Sequence, residues 1–406
     1  MATSAEIAIP QSAEDISPSW VQQVLQKDLP GIIITDVDVE GSINHGEGLM
    51  SDIIAFTAVG TRNGTSQRYS LVAKLTDFER PLTKFEGWSK VFQIKLETRE
   101  VKFYSDAVPG LLSVATPSTE RESKALKEDD DNHPPADSLF LPKCYFAATD
   151  PISMVSVRVM ENLKTQGFSI KPKRQPLSRE EMMLTVGALA QVHGLSHRLE
   201  LRSGVPLPEK YDWIMTGADL DTTGAMAWLV PNYLLSLREF AESFPDQADL
   251  VARLEKLDPA REFLILEDAR RTLKVLCQAD CWVNNIMIKY AGDVPTDVKL
   301  VDWQTPNYMP PTYDLTFVFL CATSWDVFHN HRDAILAHYH RKLQETLDPN
   351  ESSGLQSYTL EQLKADFKTD CLLGIFNCFL RLPADPDLRD PDLPRILREI
   401  TEWGVL

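Results

Sequence analysis

The chain has 406 residues, 43% hydrophobic and 25% charged, so it can bury one large core or two medium ones. Its formal net charge of -18 argues against a nucleic-acid-binding surface, because phosphate binding needs clustered lysine and arginine. Six cysteines do not make a disulfide framework in so long a chain, and neither a targeting segment nor a membrane span is recognisable. We therefore expect a two-lobed cytoplasmic protein with reduced thiols.

The first part of the chain has the pattern of a short helix followed by a small antiparallel sheet. Apolar residues at helical spacing after a Ser-Pro start predict an amphipathic helix over Ser17–Lys27. From residue 32 to residue 75 the pattern becomes alternating and β-branched, which predicts strands. An apolar stripe then predicts a helix over Lys84–Val108 that ends before Pro109.

A polar, charged segment at about residues 115–138 interrupts this sheet. Its composition cannot bury enough apolar area to offset the cost of ordering, so we predict a flexible insertion. Strand character returns afterwards in KCYFAAT and MVSVRVM. Beyond residue 160 the pattern is mainly helical, starting with a capping box formed by Ser178 and Glu181. We expect an N-lobe over 1–160 and a helical C-lobe over 161–406.

The sequence VLCQADCWVNNIMIKY, followed by VKLVDWQ, contains the most informative polar residues. Asp280 and Asn285 have the spacing of a phosphoryl-transfer catalytic loop, and Asp302 ends the second strand of a hairpin. Carboxylate and amide oxygens are suitable ligands for magnesium, and a carboxylate can orient an attacking hydroxyl. Each residue alone is also common in turns and at strand ends, so the hypothesis rests on the three together.

The N-lobe carries a second set of candidates. Lys74 lies in an apolar strand, LVAKL, as does the phosphate-binding lysine of kinases, and Glu100 on the next helix is its candidate partner. A solvated helix face is the alternative for Glu100. Gly46, Gly48 and Ser51 lie between two predicted strands, where backbone amides could cover phosphates.

These motifs resemble the ecdysteroid kinase-like family, a relative of choline kinases and aminoglycoside phosphotransferases. The resemblance runs from about residue 41 to beyond residue 325 and is carried by GEGLMSD, LVAKL, VRVMENLKTQGF, LAQVHGLSHRL, ADCWVNNIMIKY, LVDWQ and YDLTFVFL. It implies an α+β, two-lobed protein-kinase-like fold with a small antiparallel N-lobe sheet. It also implies ATP and Mg²⁺ as cofactors and a small-molecule substrate phosphorylated on a hydroxyl, such as a steroid-like compound or an amino alcohol.

The resemblance also implies a role for each candidate. Asp280 becomes the catalytic base and Asn285 and Asp302 the metal ligands. Lys74, oriented by Glu100, becomes the phosphate clamp. The backbone of Glu161, Asn162 and Leu163 becomes the hinge that faces adenine. Asp314 is expected to support the catalytic loop and not to contact substrate.

The chain departs from the family pattern at the catalytic loop. The usual His-Gly-Asp is Gln278-Ala279-Asp280 here, and the usual Glu-Asp-Leu of the hinge is Glu161-Asn162-Leu163. Glutamine can donate and accept hydrogen bonds as histidine does. Alanine replaces glycine without cost only where the backbone does not need a positive φ. The alternative hypothesis is therefore a nucleotide-binding or ligand-binding pseudokinase. A protein kinase is disfavoured because D-F-G and A-P-E motifs are missing from the sequence.

Overall fold

The computed structural model describes residues 7–43, 51–76, 90–115, 139–172, 175–216, 225–259, 261, 273–348, 353–381 and 391–406. The chain divides into two compact units. The first unit comprises residues 1–109 and 142–168, and the second comprises residues 110–141 and 169–406. The predicted domain boundary after residue 160 stays a prediction, and the 116–138 part of the predicted insertion lies outside the described residues.

The first unit is built on a five-stranded antiparallel sheet in the order β1-β2-β3-β5-β4. β2 and β3 form a long hairpin closed by Asn63 and Gly64, both at positive φ, which suits this residue pair in a tight turn. The strands are β1 (Ile33–Ser42), β2 (Ser51–Arg62), β3 (Thr65–Thr76), β4 (Cys144–Asp150) and β5 (Val155–Glu161).

Alternation along the strands gives this sheet two different faces. One face is apolar: Leu71, Ala73 and Leu75 of β3 are buried in the cluster that includes helix α1 (Pro18–Leu25). Ser17 caps α1 by accepting a hydrogen bond from the Trp20 backbone. On β3 and β5, the residues between the core positions point to the other face. Lys74 and Arg158 therefore share that second face.

The second face is covered by helix α2 (Lys90–Lys102). The predicted helix end before Pro109 is wrong. After α2 the chain makes one π-helical turn over Phe103–Ala107 and continues as α3 (Val108–Ala115). The wider turn closes with Val108 N–H donating to Phe103 O, so Pro109 enters in the first turn of a new segment, where its missing N–H costs little.

The second unit is mainly helical. Its longest helix, α4, begins with the capping box of Ser178 and Glu181, each of which hydrogen-bonds the backbone of the other. The Glu181 carboxylate also accepts hydrogen bonds from Lys171 and Tyr290. The helices are α4 (Arg179–Ser203), α5 (Leu207–Lys210), α6 (Ala225–Ser243), α7 (Ala248–Leu254), α8 (Thr312–Ala322), α9 (Arg332–Thr346), α10 (Leu360–Arg381) and α11 (Leu393–Glu402).

Two small sheets of the second unit carry the predicted catalytic segment. β7 (Val275–Cys277) pairs with β10 (Asn307–Met309), and β8 (Ile286–Ala291) forms a hairpin with β9 (Val294–Leu300), flanked by β6 (Phe168–Ile170). The hairpin register aligns Ile286 with Leu300, so the two polar ends of the motif lie at the same edge.

Close helix packing positions α8, whose residues are almost all buried. Gly374 of α10 lies against α8 so closely that a Cβ there would sit 2.8 Å from Thr316 O. Gly194 of α4 faces Thr346 of α9 in the same way. Side chains larger than hydrogen at these two positions would push the helices apart.

The observed elements confirm the predicted α+β class: a small antiparallel sheet unit and a larger, mainly helical unit. Among the described helices we find none with the length and apolar character that a membrane crossing requires. All six cysteines are free thiols.

Candidate functional site

The first unit contains a buried cluster of charged side chains between β3, β5 and α2. Lys74 Nζ lies 2.7 Å from Glu100 Oε2, and both side chains are less than 10% exposed. Arg158, which is fully buried, also contacts Glu100, with Nη2 to Oε2 at 3.1 Å, and contacts Glu97 through Nη1. The two cations and two carboxylates balance in charge, which is the condition under which buried ions are tolerated.

The predicted phosphate-covering turn is only partly described. Gly46 and Gly48 lie outside the described residues. Ser51 is buried, and its hydroxyl donates to Glu97 Oε1 at 2.9 Å, so this side chain belongs to the charge cluster. A phosphate contact by the Ser51 backbone amide stays a prediction.

The segment predicted as a hinge begins at Glu161, the last residue of β5. Glu161 N donates to Lys143 O and Asn162 N donates to Ser70 O, so the sheet pairing extends one residue past the end of β5. Asn162 then caps a short 3-10 turn over Leu163–Gln166 by accepting a hydrogen bond from Lys164 N. The chain therefore leaves the sheet at Leu163, which is buried.

In the second unit the predicted catalytic residues form one hydrogen-bonded loop. Asn285 Nδ2 donates to Asp280 Oδ2 at 2.6 Å and to Asp280 O at 2.9 Å. Asn285 O accepts from Val301 N at 3.0 Å, next to Asp302. These contacts bring the three predicted residues to the same end of the hairpin. They also use the amide nitrogen of Asn285, so its Oδ1 is the atom that fits a metal ion.

Gln278 joins the two sides of this loop. Its Nε2 donates to Val301 O at 3.0 Å and to Asp302 O at 3.1 Å, and its Oε1 accepts from Asp280 N at 2.9 Å. The residue is 1% exposed. One side chain thus fixes the backbone of Asp280 and of Asp302 at the same time.

Two residues of the loop have left-handed backbone. Ala279 has φ of 62° and Asp302 has φ of 61°. Aspartate tolerates this conformation through local hydrogen bonding, whereas for alanine it costs about 1–2 kcal/mol. The strain at Ala279 is therefore maintained by other contacts.

Asp314, on the first turn of α8, supplies those contacts. Its Oδ1 accepts from Ala279 N and its Oδ2 from Gln278 N, both at 2.8 Å. His193 of α4 contacts Oδ2 at 3.1 Å through Nε2 and contacts Tyr339 Oη at 2.8 Å through Nδ1. All of these groups are buried, so Asp314 supports the loop from beneath.

The family comparison can now be set beside this geometry. A model of the ecdysteroid kinase-like family matches residues 45–350. The chain belongs to this family. The match covers the lysine strand and helix α2 of the first unit, and the catalytic loop, α8 and α9 of the second unit. A search of curated proteins finds no match.

Among solved structures, this chain has a low-identity likeness to several phosphotransferases. The chain is 11% identical to the GDP complex of an aminoglycoside 2'-phosphotransferase, with a TM-score of 0.37, covering 95% of this chain and 99% of that one. It is 12% identical to a microcompartment-associated aminopropanol kinase, with a TM-score of 0.35, covering 94% and 98%. It is 16% identical to an aminoglycoside-3'-phosphotransferase of type VIII, with a TM-score of 0.32, covering 86% of this chain and 98% of that one.

In this member of the ecdysteroid kinase-like family, the two residues that replace the usual His-Gly of the catalytic loop have defined contacts and backbone conformations. Gln278 makes hydrogen bonds in both directions, which a histidine at that place is also able to make. Ala279 has a positive φ, a backbone conformation that glycine adopts with less strain than alanine.

Three buried groups in this ecdysteroid kinase-like chain have the residue types of a metal site. The ligand atoms of His193, Cys277 and Asp314 lie within 4.8 Å of one another. However, both Asp314 oxygens accept backbone hydrogen bonds, and both ring nitrogens of His193 have hydrogen-bond partners. We therefore interpret the group as a hydrogen-bonded support.

Sequence reasoning did not identify Arg158 and Glu97 as part of the buried charge cluster around Lys74. The available signal was the arginine in the middle of the apolar run VSVRVM, since an unpaired charge cannot be buried in a sheet. Outside this cluster, His329 Nδ1 lies 2.8 Å from Glu399 Oε2.

Proposed function

We propose that this protein is an ATP-dependent phosphotransferase that phosphorylates a hydroxyl group of a small molecule. The observation that carries the proposal is the hydrogen-bonded loop in which Asp280, Asn285 and Asp302 meet. These are the residue types that orient a hydroxyl and bind magnesium. The Lys74–Glu100 pair supports it independently, because it is the usual phosphate clamp of such enzymes.

Each side chain has a specific task in this proposal. Asp280 orients the attacking hydroxyl and accepts its proton at Oδ1 or Oδ2, while Asn285 holds the Asp280 carboxylate in place. Asn285 Oδ1 and the Asp302 carboxylate are hard oxygen ligands and fit Mg²⁺. Lys74 binds phosphate oxygens, and the backbone of residues 161–163 faces adenine. When bound, ATP with Mg²⁺ supplies the transferable phosphoryl group and neutralises developing charge.

Turnover with a panel of alcohols tests the proposal. We expect Mg²⁺-dependent ADP release with at least one member of a panel of ecdysteroids, sterols, choline-like amines and aminoglycosides. Asp280→Asn should lower that turnover by about 100-fold or more, since it removes the general base. Asp293→Asn, at the exposed tip of the same hairpin, is the matched control and should retain activity. Equal turnover in Asp280→Asn and wild type would remove Asp280 from its role.

The aromatic residues of the second unit do not define the substrate. Tyr233 and Phe328 are fully buried, and Tyr233 Oη donates to Leu254 O, so both belong to the core. Trp325 stacks on His329 and lies beneath Arg395, which gives it a local packing role. A steroid-like or amino-alcohol substrate therefore stays a proposal, as does a cytoplasmic location, which the six free thiols support.

A second candidate is a nucleotide-binding pseudokinase, and the left-handed Ala279 is the observation that favours it. Strain beside the catalytic residue could displace Asp280, and small displacements cost much rate. A thermal shift with ATP and Mg²⁺, no turnover on any alcohol, and appearance of turnover in Ala279→Gly would support this candidate. Turnover by the wild-type protein would exclude it.

A further inference from the structure

We propose that Arg158 is a positioning residue that holds Glu100 in place for Lys74, so that the lysine clamp is assembled before nucleotide binds. This inference rests on the proposed function, because it assigns Lys74 to the phosphates of a bound nucleotide. Arg158 has no place in the catalytic motif. It is nevertheless fully buried next to the clamp.

The starting observation is that two cations oppose each other in the sheet. Lys74 on β3 and Arg158 on β5 are direct partners in the strand register, so their side chains emerge side by side on one face. Like charges in such a pair repel, and burial makes the repulsion stronger. Both side chains are less than 10% exposed. This arrangement is stable only when carboxylates lie between or beside the two cations.

Helix α2 supplies those carboxylates at the correct spacing. Glu97 and Glu100 are three residues apart and therefore neighbours on one helix face. Arg158 contacts both, with Nη1 on Glu97 and Nη2 on Glu100. A planar guanidinium can bind two carboxylates at once through separate nitrogens, whereas a lysine ammonium is a single point charge. The bridge therefore depends on arginine specifically.

The contacts of Glu97 involve Arg158 and two hydroxyl groups. Its Oε1 accepts from Ser51 and its Oε2 accepts from Ser156, both at 2.9 Å, in addition to the arginine. Glu97 is thus neutralised by Arg158 and surrounded by hydroxyl donors. Glu100 contacts both cations, with Lys74 at 2.7 Å and Arg158 at 3.1 Å.

This division of contacts has a consequence for nucleotide binding. When Lys74 turns its ammonium group toward phosphate, Glu100 keeps the second contact from Arg158 and does not become an unpaired buried charge. Helix α2 then stays docked on the sheet with or without nucleotide. Without Arg158, both carboxylates would lose a cationic partner, and Glu100 would draw Lys74 more strongly away from the phosphate position.

The decisive variant removes one buried charge of each sign. Arg158→Met with Glu97→Gln keeps the cluster electrically balanced and leaves Lys74 and Glu100 intact. Arg158→Lys is the second variant. It keeps every charge and removes only the planar guanidinium group that binds both carboxylates at once. Arg68→Met, on the exposed end of β3, is the matched control. For each protein we would measure the melting temperature, the affinity for ATP with Mg²⁺, and the acylation rate of Lys74 by a small amine-reactive reagent without nucleotide.

A positioning role predicts changes that loss of stability alone does not produce. At a temperature where all the proteins are folded, both variants should bind ATP with Mg²⁺ about tenfold more weakly, the size expected for a lost hydrogen bond between charged groups. Lys74 should be acylated more slowly in both, because Glu100 then pairs with Lys74 alone and stabilises its protonated, unreactive form. The control should match the wild-type protein in both measurements.

The results that overturn the inference are distinct from those that overturn the proposed function. Wild-type ATP affinity and wild-type Lys74 reactivity in both variants would show that Arg158 only fills space and balances charge. If the wild-type protein binds no ATP with Mg²⁺, the proposed function fails, and Lys74 reactivity alone still decides whether Arg158 fixes the pair. If the double variant does not fold, Arg158→Lys carries the same comparison.

Discussion

Replacing Gln278 with leucine removes the amide that links Asp280 to Asp302 and keeps a side chain of similar size. The change takes a hydrogen-bond donor from Val301 O and Asp302 O and an acceptor from Asp280 N. The position is 1% exposed, so water cannot easily replace the lost partners. We expect both stability and any turnover to fall.

The magnitude follows from the number of backbone groups affected. Each buried polar group that loses its partner costs about 1–3 kcal/mol, and three groups at the lower end give about 3 kcal/mol. In a unit of this size that corresponds to a decrease in melting temperature of about 6–12 °C. Turnover should fall by about 100-fold, because a displacement of about 1 Å at a reacting group has that effect.

Gln191→Leu provides the matched control in the same unit. Within the described part of the chain, Gln191 Oε1 is buried and accepts no hydrogen bond. The same substitution there should leave the melting temperature unchanged or raise it, because it removes a polar atom whose burial is not compensated. The measurements are thermal unfolding for both variants and ADP release for both under the conditions of the wild-type assay.

The reasoning is refuted if Gln278→Leu unfolds at the wild-type temperature and turns over at the wild-type rate. That outcome would mean that Asp280 and Asp302 are held by other contacts. Gln278→His should fall between leucine and wild type, because an imidazole retains one donor and one acceptor but cannot donate to two carbonyl groups from one nitrogen.

Three further substitutions test other parts of the second unit. Ala279→Gly should change the free energy of unfolding by less than about 1 kcal/mol, because the relief of backbone strain offsets the larger entropy of the unfolded chain. Ala190→Gly inside α4 should lower the free energy of unfolding by about 1 kcal/mol or more. If denaturant unfolding gives equal losses for the two variants, Ala279 is not strained. Burial alone would raise the pKa of Glu181, but hydrogen bonds, of which the one from Lys171 has the largest effect, lower this pKa below its ordinary value of 4.5. The ionised Glu181 carboxylate therefore stabilises the fold above pH 4.5, and this stabilisation is lost as the pH falls. Glu181→Gln should therefore reduce stability at neutral pH and flatten the acid limb of a stability–pH curve; parallel curves would contradict this. Asp314→Asn should lower the unfolding free energy by about 2–4 kcal/mol, because its amide nitrogen would face backbone N–H donors; an unchanged denaturation midpoint would show that the loop does not need this carboxylate.

Structural features that depend on residues close together in the chain could be predicted from the sequence, whereas most contacts between residues far apart in the chain could not. Alternation in β3 and β5, the Ser178 cap of α4 and the hairpin after Asn285 all follow from local patterns, and each is present in the structure. The helix over Lys84–Val108 was assigned the wrong end, because a proline in the sequence does not reveal that a π-helical turn precedes it.

The long-range contacts of the site were harder to anticipate. Glu100 was named as a candidate partner of Lys74 because kinase-like chains use such a pair. The bridge from Arg158 depends on the register of β3 against β5, and no local pattern encodes that register. Whether Ala279 has a positive φ could not be decided from the sequence. This conformation is held by the backbone amides of Gln278 and Ala279, which donate to Asp314 on a helix 35 residues further along the chain.

Those two amides give the loop a character that its catalytic residues do not reveal. Successive backbone N–H groups that point to one spot form a nest, a concave site that ordinarily binds an anion. In this chain the nest of Gln278 and Ala279 is filled from within by the Asp314 carboxylate. The left-handed alanine and the buried aspartate are thus two halves of a single internal ion-binding site. During divergence of the sequence, a change that abolishes the anion also removes the reason for the strained backbone, so positions 279 and 314 should be constrained together.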